Sequence, residues 1–160
     1  MKNELYRLSV FLHIFAFSVW FGGMIFISLI LRPSLMRRED YPDIIDVIAR
    51  KFSKITWFFI FPTLLITGFF NSYIRTGEIN PLEWSKYTTG KIALIKLHLI
   101  LLIFILSALH DFKIGPKAVE QMRNRTYPQN FRKLSGLIGR LNFLLGTIML
   151  ILGILIVRGC

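Results

Sequence analysis

The sequence predicts an all-α, polytopic membrane protein: a four-transmembrane-helix bundle with both termini on the outer side. Three observations predict it. Hydrophobic residues make up 54% of the 160 positions and mean hydropathy is +0.56, although the chain carries 20 Lys plus Arg. The apolar residues fall into four runs of about twenty, the length a helix needs to cross the hydrocarbon layer. The charges gather in short blocks between those runs, as solvated connectors do, whereas a soluble domain intersperses them. Residues 1–160 are therefore expected to form a single four-helix membrane domain with no soluble domain appended.

The first run extends from about Leu8 to Leu31 and is bounded by Arg7 and by Arg32-Pro33. It is longer than the apolar region of a secretory signal, about 7–15 residues, and its end offers no small-residue cleavage site, so it reads as a retained span. The second covers about Ile55 to Ile74 and contains Pro62, which a bundled transmembrane helix tolerates with a kink. The third, about Ile92 to Leu109, contains Lys96 and His98 and ends at His110-Asp111. The fourth runs from about Leu141 to Val157; Gly139, Gly146 and Gly153 recur every seven residues along one narrow face, a pattern that lets a neighbouring helix approach closely.

Between spans one and two, Ile44, Ile45, Val47 and Ile48 alternate with Asp43, Asp46, Arg50 and Lys51, predicting a short helix along the membrane interface. In the longer, basic connector from Asp111 to Arg140, Val119 and Met122 suggest another interfacial turn. These two connectors hold thirteen Lys and Arg residues against six on the opposite side. Short loops rich in Lys and Arg stay in the cytoplasm, which places both termini outside and predicts a multi-pass protein of the cell inner (plasma) membrane. The expected partners are the lipid bilayer, anionic lipid headgroups at the basic inner loops, and a further copy or a membrane-complex subunit. No nucleic acid is expected, because the basic residues adjoin the hydrophobic runs. The one cysteine, Cys160, excludes an internal disulfide and any cysteine-cluster metal site.

Ionisable residues inside spans are costly enough to be functional candidates. His13 lies six residues after Arg7, roughly 9 Å into span one at 1.5 Å per residue. His98 lies seven residues after Lys91, roughly 10 Å into span three from the same side. Two imidazoles at matching depth can supply both axial ligands of a b-type haem, or ligate a metal. Lys96 stands about 160° around the helix from His98, so the two compete for whatever His13 faces. His110 has no second histidine at its level and reads as a solvated or hydrogen-bonded end residue beside Asp111. Trp20 and Phe17 share the face of His13 and can pack a porphyrin or other helices. Copper is the other metal considered, though Met24, Met36, Met122 and Met149 form no cluster.

Several of these residues carry a family resemblance. His13, Trp20, Gly22 and Gly23 (His-x6-Trp-x-Gly-Gly) resemble the first helix of the copper-resistance D (CopD) superfamily. The Arg50-Lys51-Phe52-Ser53 start of the second helix, Leu64-x-x-Thr67-Gly68, and Thr88-x-Gly90-Lys91 running on to Lys96-Leu97 fit the same resemblance. The tail, with His110-Asp111-Phe112 and Gly139-Arg140-Leu141-Asn142, is similar to short stand-alone members. The resemblance implies copper handling or membrane redox chemistry, with a metal or haem between the outer halves of spans one and three. The related HemJ-type protoporphyrinogen oxidases imply haem binding by His13 and Lys96. A structural accessory subunit without cofactor is the third reading, and the sequence leaves open whether the protein is an enzyme.

Overall fold

The computed structural model describes residues 2–124, 128 and 130–158, and every element among them is helical. Four of its helical rods are long and apolar enough to cross a membrane: Asn3–Leu35, Tyr41–Thr76, Thr88–Arg123 and Asn130–Val157. In their most apolar stretches only 11 to 28% of residues are buried inside the protein. Many large apolar side chains, Leu29, Phe58, Phe59 and Ile66 among them, face outward, as side chains in contact with lipid do.

The first three rods share one irregularity. Helix α1 (Lys2–Phe26) runs through a π-helical turn, Ile27–Leu31, into α2 (Arg32–Leu35). Helix α3 (Tyr41–Ile55) runs through Thr56–Ile60 into α4 (Phe61–Thr76), and α5 (Thr88–Leu109) through His110–Ile114 into α6 (Gly115–Arg123). After each wide turn the next N–H bonds five residues back, Arg32 to Ile27, Phe61 to Thr56 and Gly115 to His110. Pro33, Pro62 and Pro116 each follow as the second residue beyond the turn. A proline inside a helix lacks its N–H and presses its ring on the carbonyl four residues back; widening that turn by one residue relieves the clash. The expected kink at Pro62 is thus absorbed by a π turn. The fourth rod, α7 (Asn130–Arg158), has no proline and no such turn.

The rods also correct the reading of the connectors. The segment around Ile44–Lys51 is helical, but as part of α3 it continues into the second span and is not a separate helix along the interface. No breaker stands between Lys54 and Ile55, and a change from charged to apolar side chains does not interrupt backbone hydrogen bonding. Val119 and Met122 likewise lie in α6, the prolongation of the third rod. Asp40 precedes α3 without capping it, because Arg38 takes both its carboxylate oxygens at 2.8 Å and holds the carboxyl below the usual carboxylate range.

Packing pairs α1 with α4 and α5 with α7, while α6 lies against α3 and α7. Arg75 near the end of α4 donates to Tyr6 Oη at 2.9 Å and to the Ile156 carbonyl at 3.1 Å, so the start of α1 and the end of α7 lie at one end of the bundle. We call this the terminal end and the opposite one the connector end. Across the middle, Trp20, Ile60, Phe61, Leu64, Ile100, Ile103 and Met149 form a buried apolar layer. Phe61 stacks on Phe104 with centroids 4.2 Å apart and meets Trp57 edge-on at 5.1 Å. Of the glycine stripe on α7, Gly146 is the close-packed member: a Cβ there would meet Phe21 at 2.7 Å. Gly139 faces open space, and Gly153 faces the Lys96 ammonium.

The loop after α4 starts from Gly77, whose φ of +75° ends the helix in the left-handed conformation that glycine adopts without strain. It then folds through a 3-10 turn, Pro81–Lys86, begun by Asn80 accepting from the Leu82 N–H at 3.1 Å. Trp84 of this turn is buried, donates its indole N–H to the Glu78 carbonyl at 2.8 Å, and lies against Phe69.

Candidate functional site

Above the apolar layer, between the terminal halves of the rods, lies a cavity of about 1490 Å³. Its floor is Trp20, Leu64 and Ile103, and Trp84 lines it beside Phe69. His13 and Lys96 both line it, as do Arg75 and Asn71, and no Asp or Glu does.

His13 is fixed by the second rod. Its Nδ1 lies 2.8 Å from Thr67 Oγ1, and the Thr67 hydroxyl donates its proton to the Thr63 carbonyl. Having spent its proton, the hydroxyl oxygen accepts from His13 Nδ1–H, which leaves the lone pair of the neutral ring on Nε2. Gly68 makes the approach possible: a Cβ there would stand 3.1 Å from His13 Cε1. Lys96 has corresponding room, its Nζ being 3.7 Å from where a Cβ of residue 153 would lie. The Asn71 amide has a buried oxygen with no hydrogen-bond partner, a group that a bound molecule can satisfy.

His98 does not join these residues. It is exposed on the far side of α5, its Nδ1 donating to the Leu94 carbonyl of its own helix at 2.8 Å. The structure brings His13 and Lys96 to one cavity and separates His13 from His98. Phe17 and Trp20 line the cavity beside His13, and Trp20 is also part of the core.

The donor set discriminates between the two cofactors. Among the described residues no three His, Cys, Asp or Glu side chains converge on a point. One imidazole with a thioether nearby (Met149) is a poor enclosure for copper, so the residues present do not fit a copper ion held by the protein alone. They fit a large, flat, apolar group with an acidic edge: one imidazole oriented by the Thr67 hydroxyl, aromatic walls, and two cations without a carboxylate among them.

A second polar cluster lies at the connector end, where the sequence marks only His110 as an end residue beside Asp111. Asp111 accepts from Ser53 Oγ at 2.8 Å and Trp57 Nε1 at 3.1 Å on one oxygen, and from His110 Nδ1 at 2.9 Å on the other. His110 Nε2 in turn accepts from Ser135 Oγ at 3.0 Å. The cluster ties three rods together. Asp111→Ala leaves three donors without their carboxylate and is expected to cost about 2 kcal/mol in thermal unfolding in detergent. Asp111→Asn should cost less than half of that: with the amide oxygen toward Ser53 and Trp57, its N–H can serve His110 once the imidazole proton moves to Nε2 and Ser135 becomes the acceptor. Equal losses for both variants would refute this account of the cluster.

Fold and cavity together define a four-helix integral membrane protein with a polar-tipped apolar cavity in one half of the bundle. The chain belongs to the family described as domain of unknown function DUF4149, which it matches over residues 15–127. That match takes in Thr67, Lys96, His110 and Asp111; His13 lies two residues before it and Ser135 beyond its end. The chain is also similar to an "uncharacterized protein" of Aquifex aeolicus (strain VF5), 30% identical over 157 residues that cover 96% of each chain. No solved structure matches it.

Proposed function

We propose that this protein binds a carboxylate-bearing tetrapyrrole of the b-type haem class in the terminal-half cavity, and serves membrane redox chemistry with it. The observation that carries the reading is the His13–Thr67 pair, which orients an imidazole lining a large apolar cavity and leaves Nε2 as its lone-pair nitrogen. Metal-bound histidines characteristically donate their other ring N–H to a fixed acceptor in this way. Lys96 and Arg75 supply positive charge in a cavity without acids, which suits the acidic edge of such a ligand. A bound haem contributes one-electron exchange; the chain's own residues orient it, neutralise its charge and exclude water. The CopD-type resemblance at His13 and the HemJ-type pairing of His13 with Lys96 point the same way, and a porphyrinogen substrate, sharing size and charge, would use the same cations. The apolar layer beneath the cavity favours binding over passage of an ion through the bundle. By the bias of its basic connectors the protein resides in the inner membrane with the terminal end outside.

The test is the visible spectrum of detergent-purified protein, as isolated and after addition of haemin, with and without dithionite. A reduced α band of b type is expected, lost in His13→Ala and shifted or weakened in Lys96→Ala. His98→Ala should leave it unchanged, because that imidazole faces away from the cavity. A protein that stays colourless and does not take up haemin would overturn the proposal and favour a helix-bridging accessory subunit.

A further inference from the structure

At the connector end the charges are unevenly arranged. Beside α3 and α6 three of the cations meet carboxylates: Arg123 reaches Asp43 at 2.6 Å and Asp46 at 3.9 Å, Arg50 pairs with Asp46, and Arg38 with Asp40. On the other side, where the first rod ends and α7 begins, a pocket of about 370 Å³ is lined by Arg32, Arg132, Lys133, Gly136 and Arg140, with no carboxylate. Three features make it more than a solvated basic surface. Arg132, Gly136 and Arg140 follow one another at four-residue spacing on a single face of α7, so the glycine opens a gap between two guanidinium groups. A Cβ at Gly136 would meet nothing within 4 Å, so an incoming group can reach the helix backbone there. The fourth cation, Arg32, comes from a different rod.

The level of these residues identifies the ligand. Arg32 directly follows Leu31, the last residue of the first apolar run, and Arg140 directly precedes Leu141, the first of the fourth. Both guanidinium groups therefore stand at the edge of the hydrocarbon layer, where lipid phosphates lie. We infer that this seam is a specific binding site for the phosphate of an acidic phospholipid, its acyl chains running along the outward apolar faces of the first and fourth rods. Two or more guanidinium groups converging on one phosphodiester give bidentate hydrogen bonds, and basic pockets between transmembrane helices are a recognised setting for acidic headgroups. The sequence alone spreads such contacts over both basic connectors; the structure concentrates them at one seam.

Native mass spectrometry of the full chain, released from detergent with added phosphatidylglycerol, phosphatidylcholine or inorganic phosphate, tests this. One phosphatidylglycerol is expected to be retained in preference to phosphatidylcholine. The double variant Arg32→Gln/Arg140→Gln should weaken that retention by about tenfold or more, at about 1 kcal/mol per cation near a membrane surface. The control Arg37→Gln/Arg38→Gln removes the same charge from the neighbouring connector and should leave retention within about twofold. Melting curves establish that both double variants are folded. Equal loss in the two double variants would reduce the effect to general surface charge and overturn the site. Inorganic phosphate that displaces the lipid at comparable concentration would overturn the assignment to a lipid and leave an anion site.

Discussion

Phe61→Ala is expected to lower the stability of the folded bundle by about 3–5 kcal/mol, the range for removing a fully buried aromatic ring. Phe61 is 1% exposed and sits where three rods meet, stacked on Phe104, edge-on to Trp57 and inclined to Trp20 at 6.0 Å. In lipid the hydrophobic drive between helices is absent, so the lost energy is mainly dispersion and the cost of a void that helices of fixed backbone cannot fill. The void would also adjoin the cavity floor formed by Trp20, Leu64 and Ile103, weakening the barrier between the terminal cavity and the connector-end cluster. Phe61→Leu keeps most of the volume and should cost about half as much. Phe59 is 70% exposed, so Phe59→Ala removes a ring that touches mostly lipid and should change the midpoint by less than about 1 kcal/mol. Denaturation in mixed micelles, read by far-UV circular dichroism, makes the comparison; similar losses at positions 59 and 61 would refute the assignment of Phe61 to a load-carrying layer.

That layer shows how far the sequence could be read. Four spans were legible because run length and hydropathy are set by the bilayer itself, and the observed rods contain every expected span. The rods proved longer than the runs, since a charged residue such as Lys54 ends a hydrophobic stretch without ending a helix. The site was half legible. Depth along the helix identified His13, Lys96 and His98 as candidates, and the 160° between the last two showed that only one could face the bundle. Which one could not be read, because α5 is apolar on all sides and its sequence marks no inner face. The partner of His13 lies 54 residues away on another rod, a pairing that only packing reveals. Yet Thr63, Thr67, Asn71 and Arg75 recur every fourth residue, a polar stripe down one face of the second span that could have been recognised. The sequence places His110 beside Asp111, as the structure does; its second partner, Ser135, lies across the basic connector and is of a residue type too common to signal itself.

The second large effect is expected at Gly90. This glycine is buried at the start of α5, and a Cβ there would run into the Trp84 carbonyl. The obstacle is backbone that is held in place: the same carbonyl accepts from the Tyr87 N–H at 3.0 Å, the Trp84 indole is bonded to Glu78, and Asn80 caps the turn. A side chain at position 90 therefore cannot be accommodated by a rotamer change and must push the whole 3-10 turn away from α5. We expect Gly90→Ala to cost about 2 kcal/mol, a typical overpacking penalty partly offset by alanine's better helix propensity, and Gly90→Val about 3 kcal/mol or more. Gly22 gives the opposite sign, since nothing lies within 4 Å of its Cβ position: Gly22→Ala should stabilise by roughly 0.5–1 kcal/mol through helix propensity alone. Because the displaced turn carries Trp84 in the wall of the cavity, Gly90→Val should also speed the loss of any bound tetrapyrrole. Unfolding midpoints of the three variants, followed by the rate at which haem transfers from each to apomyoglobin, check both halves; a Gly90→Val protein as stable as wild type would mean that the turn does not rest on α5.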